Sequence, residues 1–242
     1  MAGINKNIRK GKTINDFTSQ LLSVVSHQLK SPLAVIKNYA TLLRDGNYGK
    51  ISNKEAEIIL KIEAAADNAI ELVTNTIDLR KVEEGKMEYE FSKTDLVGLT
   101  KDVVEGIRIL AETKGLKMTF TASAHDIFVN ADPREMKHVV QNLVDNAIKY
   151  TEKGFINVNV REIGGEAVFS VADSGIGIPK GVKPLLFKEF MRDERVDHKM
   201  KGSGIGLHIA RNIVEAHGGK IFAESAGDGK GSTFSFSLSV LK

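Results

Sequence analysis

Asn142-Leu143-Val144-Asp145-Asn146-Ala147-Ile148-Lys149-Tyr150-Thr151 decides how this chain is read. Leu143, Val144, Ala147 and Ile148 recur at helical spacing, so the stretch is the end of an amphipathic helix. Asn142 and Asn146 stand one turn apart on one face. Amide oxygens are hard, neutral ligands. They suit a Mg²⁺ ion that arrives on phosphates and keeps several waters. Lys149 can offer charge to a phosphate, and Tyr150 lies beside it. Taken alone, a helix with a polar outer face explains the same pattern equally well.

The flanking sequence adds chemistry. Asp132-Pro133 opens the helix with an acidic N-cap and a proline in the first helical position. Residues 155–163 and 166–172 alternate and predict a hairpin around Gly164-Gly165. The second strand runs into Asp173-Ser174-Gly175-Ile176-Gly177-Ile178-Pro179. A carboxylate at a strand end can accept a hydrogen bond from the exocyclic amine of adenine; a ligand lacking that amine would leave the acid unpaired. Gly175 and Gly177 permit close backbone approach. Gly202-Ser203-Gly204-Ile205-Gly206-Leu207 precedes a helix reaching His217, and a helix N-terminus favours an anionic phosphate. Between the glycine groups, residues 180–201 read as a surface loop or as a mobile lid packed down by Phe187 and Phe190. The Gly-x-x-x-x-Gly-Lys-Ser/Thr phosphate loop is absent, and no acid is placed as a dinucleotide fingerprint requires.

The remaining elements are a short strand at 87–91, a helix at 96–113, strands at 117–122 and 127–130, and two last strands at 220–225 and 232–240. Strands adjacent in sequence and mixed with helices define an α+β sandwich over residues 86–242.

The first third is all helical. Residues 1–13 read as a linker remnant. From Ile14 to Arg44, Phe17, Leu21, Leu29, Leu33, Ile36, Ala40 and Leu43 keep helical spacing, and Pro32 should bend the helix. Asp45-Gly46-Asn47-Tyr48-Gly49 is a turn. Ser52 or Asn53 caps a second helix that fades near Glu83-Glu84-Gly85. Both apolar faces are too wide for one partner, so residues 14–85 are expected to form a homodimeric four-helix bundle. A coiled-coil spacer fits the same pattern. His27 lies on the first helix in Ser26-His27-Gln28-Leu29-Lys30-Ser31-Pro32-Leu33.

Composition excludes several classes. The chain is 42% hydrophobic and 27% charged, with a formal net charge of +3. Signs are interspersed, so neither nucleic acid nor membrane contact by this chain is expected. The absence of cysteine removes disulfides, thiolate metal sites and cysteine catalysis, and fits a reducing, cytoplasmic setting. No apolar run reaches the roughly 18 residues of a membrane helix, and the start lacks a signal-peptide core.

The ordered set (His27 segment, Asn142–Thr151, Asp173–Pro179, Phe187–Phe190, Gly202–Leu207, and Gly229-Lys230-Gly231-Ser232-Thr233-Phe234) resembles the catalytic core of a two-component sensor histidine kinase. Residues 14–85 resemble the dimerisation and phosphoacceptor domain, here a helical hairpin forming a dimeric four-helix bundle. Residues 86–242 resemble the two-layer α+β ATPase domain shared with DNA gyrase, mismatch-repair ATPases and the large heat-shock chaperone. The resemblance implies ATP and Mg²⁺ as cofactors. His27 would take the γ-phosphoryl group, and a receiver-domain aspartate of a response regulator would be the partner. Asn146 with Asn142 would hold the metal, with Lys149 in a catalytic role. Asp173 would read adenine. Tyr150, Gly175, Gly177, Ile178, Phe187, Gly202, Ser203, Gly204, Gly206, Leu207 and Thr233 would shape the nucleotide site and its lid.

Two positions depart from the family pattern. Gln28 stands where an acid usually follows the phosphoacceptor; it can orient the ring but cannot take a proton, so slower phosphorylation is expected. Ser31 stands where threonine or asparagine usually positions water against the phosphorylated partner, so any phosphatase activity should be weak. Two other readings stay open: a conformational ATPase of the same fold, and a nucleotide-binding dimeric scaffold with little kinase activity. The chain is read as cytoplasmic, or as the cytoplasmic part of a longer, membrane-anchored sensor.

Overall fold

The computed structural model describes residues 24–26, 28–188 and 204–241. The chain divides into two compact units that meet in sequence between Met87 and Glu88.

In the first unit, residues 24–26 and 28–44 are helical (α1). The helix runs through Pro32. The turn that follows has glycines at the two positions whose φ is positive, Gly46 at 77° and Gly49 at 119°, where a β-carbon would be strained. Helix α2 (Asn53–Glu83) opens with a reciprocal cap: Ser52 Oγ accepts from the Glu55 amide, and Glu55 Oε2 accepts from the Ser52 amide at 2.6 Å. The Ser52 donors hold the Glu55 carboxyl below its usual range. Ala40, Ile59, Ala66 and Leu79 are buried. Glu63 is buried among them and is satisfied by Arg44 Nη1 at 2.6 Å and Thr41 Oγ1 at 2.7 Å. Leu29, Ile36, Tyr39, Ile58, Leu60, Ile62 and Leu72 stay exposed.

The second unit is a mixed sheet with helices on one face. Strands β1 (Ser92–Asp95) and β3 (Phe128–Ala131) pair antiparallel in a small separate ribbon. The main sheet has five strands in the order β2 (Leu116–Ala122), β4 (Gly154–Ile163), β5 (Glu166–Asp173), β7 (Ser232–Ser239) and β6 (Lys220–Glu224). Among the described strands only β2 and β4 run parallel. Alternation sets the faces. Ala167, Phe169 and Val171 of β5 and Phe234, Phe236 and Leu238 of β7 are buried, while Ser170, Ser235 and Ser237 are not. Helices α3 (Leu96–Thr113), α4 (Pro133–Tyr150) and α5 (Gly206–Ala216) bury their apolar stripes on that inner face. Phe169 and Phe236 stack at 5.0 Å in its centre.

The expected strand at 87–91 is not formed. The first strand begins at Ser92. Tyr89 and Phe91 instead pack on His217, and the Glu90 amide donates to Asp132 Oδ2 at 2.8 Å, so this backbone has no ladder to join.

Candidate functional site

Helix α4 is fixed at both ends. Asp132 accepts from the amides of Arg134 and Glu135, as an N-cap should. Burial raises the Asp132 carboxyl, but the amides of Glu90, Glu135 and Arg134 and the Arg134 charge outweigh it, and the net shift is downward. At the other end Lys114 Nζ donates to the carbonyls of Ile148 at 2.6 Å and Lys149 at 3.1 Å. Burial lowers the Lys114 pKa, opposed in part by Glu152.

Between these anchors the polar face of α4 carries Asn142 and Asn146, and Asn146 Nδ2 donates to Asn142 Oδ1 at 3.3 Å. Asn146 and Tyr150 line a recess whose far wall is Asp173, Ile176, Gly177 and Ile178. Val182, Leu186, Leu207 and Phe234 form its apolar side. Asp173 ends β5 and is buried. Its Oδ1 accepts from the Gly175 amide at 2.7 Å, and its Oδ2 accepts from the Ser232 hydroxyl. Each carboxylate oxygen has a second lone pair for a ligand.

The glycines serve close approach. A methyl on Gly175 would run into the Tyr150 carbonyl oxygen, and one on Gly177, where φ is 68°, into the Gly227 carbonyl. A methyl on Gly206, the first residue of α5, would meet the Asn142 side chain, so this glycine lets α5 start against α4. Gly204 precedes it with φ 71°.

Lys149 does not line the recess; its Nζ sits over the Tyr150 ring at 5.1 Å. Phe187 packs edge-on to Phe234 at 6.4 Å, and its carbonyl accepts from His208 Nδ1 at 3.1 Å, which pins the described part of the lid segment to α5. His27, Phe190, Gly202 and Ser203 lie outside the described residues. Gln28 and Ser31 are both exposed and three residues apart on α1.

Asp173 pairs with Ser232 across β5 and β7. Ser232 and Phe234 line the recess, while Thr233 lines an adjoining cleft with Phe155, Lys183 and Lys230 that shares Asp173 and Ser232 with it. Ser232 is the hydroxyl that sequence reasoning missed. Two more were missed. Ser225 Oγ accepts from the Ile178 amide at 3.0 Å and holds the glycine segment in place. Thr151 Oγ1 is buried beside Gly175 and has no partner.

The donor set fits a phosphate-borne Mg²⁺. Asn142 and Asn146 offer neutral amide oxygens, and among the described residues no three His, Cys, Asp or Glu side chains come together as a resident metal site.

The comparisons with known proteins agree with this architecture. Residues 131–242 match the model of the histidine kinase-, DNA gyrase B- and HSP90-like ATPase family. Residues 18–85 match that of the His Kinase A (phospho-acceptor) domain. The circadian input-output histidine kinase CikA of Synechococcus elongatus is 31% identical over 225 residues, which is 91% of this chain and 30% of that protein. The histidine protein kinase DivJ of Caulobacter vibrioides is 28% identical over 92% of this chain and 37% of that protein. The chain thus spans about a third of the length of these curated relatives. Among solved structures, the catalytic domain of the histidine kinase ThkA is 32% identical with a TM-score of 0.55, covering 62% of this chain and 95% of that one. Full-length ShkA in complex with AMPPNP shares the fold, with a TM-score of 0.71 at 24% identity over 92% of this chain and 46% of that one. The chain belongs to the histidine kinase family, with a helical phosphoacceptor-type hairpin followed by an ATPase-type α+β sandwich.

Proposed function

We propose that the chain is a protein-histidine kinase core that phosphorylates its own His27 from ATP and passes the phosphoryl group to an aspartate of a response regulator. The observation that carries this reading is the convergence of Asn146 and Asp173 on one recess, in a chain whose residues 18–85 match the phosphoacceptor family.

In this reading Asp173 accepts from the exocyclic amine of adenine with a lone pair left over by Gly175 and Ser232. Ile176, Ile178 and Leu207 cover the purine faces, and Gly204 and Gly206 bring the N-terminus of α5 towards the phosphates. Asn146, with Asn142, would hold Mg²⁺, and the bound ion would neutralise charge on the phosphates. A ring nitrogen of His27 attacks the γ-phosphorus with its lone pair, a P–N bond forms, and the bond to the bridging oxygen breaks with ADP leaving. Gln28 orients the ring through its amide but takes no proton. Lys149, seated over Tyr150, supplies nearby positive charge. Ser31, four positions after His27 in the sequence, would orient water for weak regulator dephosphorylation.

The exposed apolar face of the hairpin supports a homodimer, since Leu29, Ile36, Tyr39 and Ile62 would be covered by a second copy. No described helix is long and apolar enough to cross a membrane. The use of ATP places the chain on the cytoplasmic side. Incubation with γ-labelled ATP and Mg²⁺ should give an acid-labile, base-stable label. A wild-type chain that stays unlabelled, or equal label on His27→Ala, defeats the proposal.

A further inference from the structure

His217 follows α5, lies outside the recess, and has both ring nitrogens engaged. Its Nδ1 donates to the Ile213 carbonyl at 2.7 Å, and its Nε2 accepts from the Asp132 amide at 2.9 Å. A carbonyl only accepts and an amide only donates, so both bonds require the neutral Nδ1–H tautomer. The ring is also held from outside. Tyr89 meets it edge-on at 5.0 Å, and Phe91 lies against it at 4.7 Å. Between these aromatics the Glu90 amide donates to Asp132 Oδ2 at 2.8 Å.

One imidazole therefore joins three elements. The first is the entry segment 88–91, which follows the hairpin in sequence. The second is the N-cap of α4, the helix that carries Asn142 and Asn146. The third is the end of α5, whose first residue abuts Asn142. Helices of 18 and 11 residues transmit a displacement of one end to the other. Neither Asn146 nor Asp173 touches His217, so its influence on the recess runs only through the two helices.

We infer that His217 is a positioning residue. Through it, the entry segment sets the spacing of α4 and α5 and hence the nucleotide affinity of the recess; this rests on the nucleotide-binding reading above. The segment that comes directly from the hairpin is thereby connected to the site without touching nucleotide.

The test is titration of the intact chain with a fluorescent ADP analogue and Mg²⁺, using His217→Phe, His217→Gln, Tyr89→Leu and the double variants. Phenylalanine keeps a ring for Tyr89 and Phe91 but leaves the Asp132 amide unpaired. Glutamine brings a carbonyl to the position of Nε2. His217→Phe should weaken binding about tenfold, on the scale of one buried hydrogen bond. His217→Gln should fall between wild type and His217→Phe, because the acceptor is restored but the ring beneath Tyr89 and Phe91 is not. Tyr89→Leu should weaken binding in the wild-type background and have little further effect beside His217→Phe. Wild-type affinity in His217→Phe, equal damage from His217→Gln, or full additivity with Tyr89→Leu would each overturn the inference. If His217→Phe does not fold, Tyr89→Leu with Phe91→Leu carries the test; unchanged affinity there has the same force. A wild-type chain that binds no nucleotide takes down the nucleotide reading itself, whereas binding indifferent to these residues takes down only the role of His217.

Discussion

Asp173→Asn is the substitution with the sharpest expected outcome. The carboxylate has three duties: Oδ1 accepts from the Gly175 amide at 2.7 Å, Oδ2 accepts from the Ser232 hydroxyl, and a remaining lone pair faces the recess. The asparagine amide can keep the first two. Its oxygen still accepts from Gly175, and its NH₂ can donate to Ser232, because a hydroxyl turns from donor to acceptor without moving. The fold is therefore retained. What disappears is the charged acceptor for the exocyclic amine, which then meets an N–H group. A hydrogen bond to a charged partner contributes about 1.5–3 kcal/mol. That corresponds to about 10- to 150-fold in dissociation constant for an adenine nucleotide. An inosine nucleotide carries a carbonyl where adenine has the amine, so the variant should narrow or reverse the preference for adenine over inosine. Isothermal titration with ADP and IDP, alongside thermal unfolding, measures both. Unchanged ADP affinity in a folded Asp173→Asn chain would refute the role of Asp173. Equal losses for ADP and IDP would show that the side chain acts on pocket shape, not on the amine.

Gln28→Glu supplies the missing proton acceptor beside His27 and should raise the rate constant for phosphohistidine formation, by up to about 100-fold; a rate that stays the same or falls removes residue 28 from that step. Gly175→Ala should lower stability by about 3 kcal/mol, since its methyl meets the fixed Tyr150 carbonyl, and urea unfolding of the intact chain reads the loss. Asp132 contributes to pH dependence. Its folded pKa is lowered, so its charge-dependent stability is present above the unfolded value of about 3.9 and is lost as pH falls through the folded value. The deficit of Asp132→Asn against wild type in urea midpoint should therefore be full at pH 7 and smaller at pH 3; a deficit that grows on acidification contradicts the sign.

Much of this architecture is legible in the sequence because local chemistry and long-range packing agree there. Asp132-Pro133 opens α4 where the cap chemistry says it should, and the Asn142–Thr151 stretch buries Leu143, Val144, Ala147 and Ile148 on the face their spacing predicts. The strand expected at 87–91 failed because Tyr89 and Phe91 look like strand residues but find their partner in His217, more than a hundred positions away. Ser232 carries no mark of a ligand in the sequence; its hydroxyl reaches Asp173 only because β7 pairs with β5 in that register. Thr151 closes the asparagine stretch but sits in no spacing that marks a ligand, and Ser225 leaves no signal. His27 is a case where sequence alone speaks, from its place in the ordered motif set.

The rear of the recess is built from main chain that leaves no room for a β-carbon. Gly175 lies against the Tyr150 carbonyl, Gly177 against the Gly227 carbonyl, and Gly231 against the carbonyl of Asp173 itself. An evolving lineage therefore cannot retune ligand preference at these positions, because any side chain displaces the end of α4, a turn or the end of β5 before it reaches a ligand. Variation is confined to the residues that decorate this wall, Asp173 and Ser232 among them. In a saturation screen scored only for abundance, with no selection for phosphorylation, the three glycines should already be intolerant, whereas Asp173 should accept asparagine.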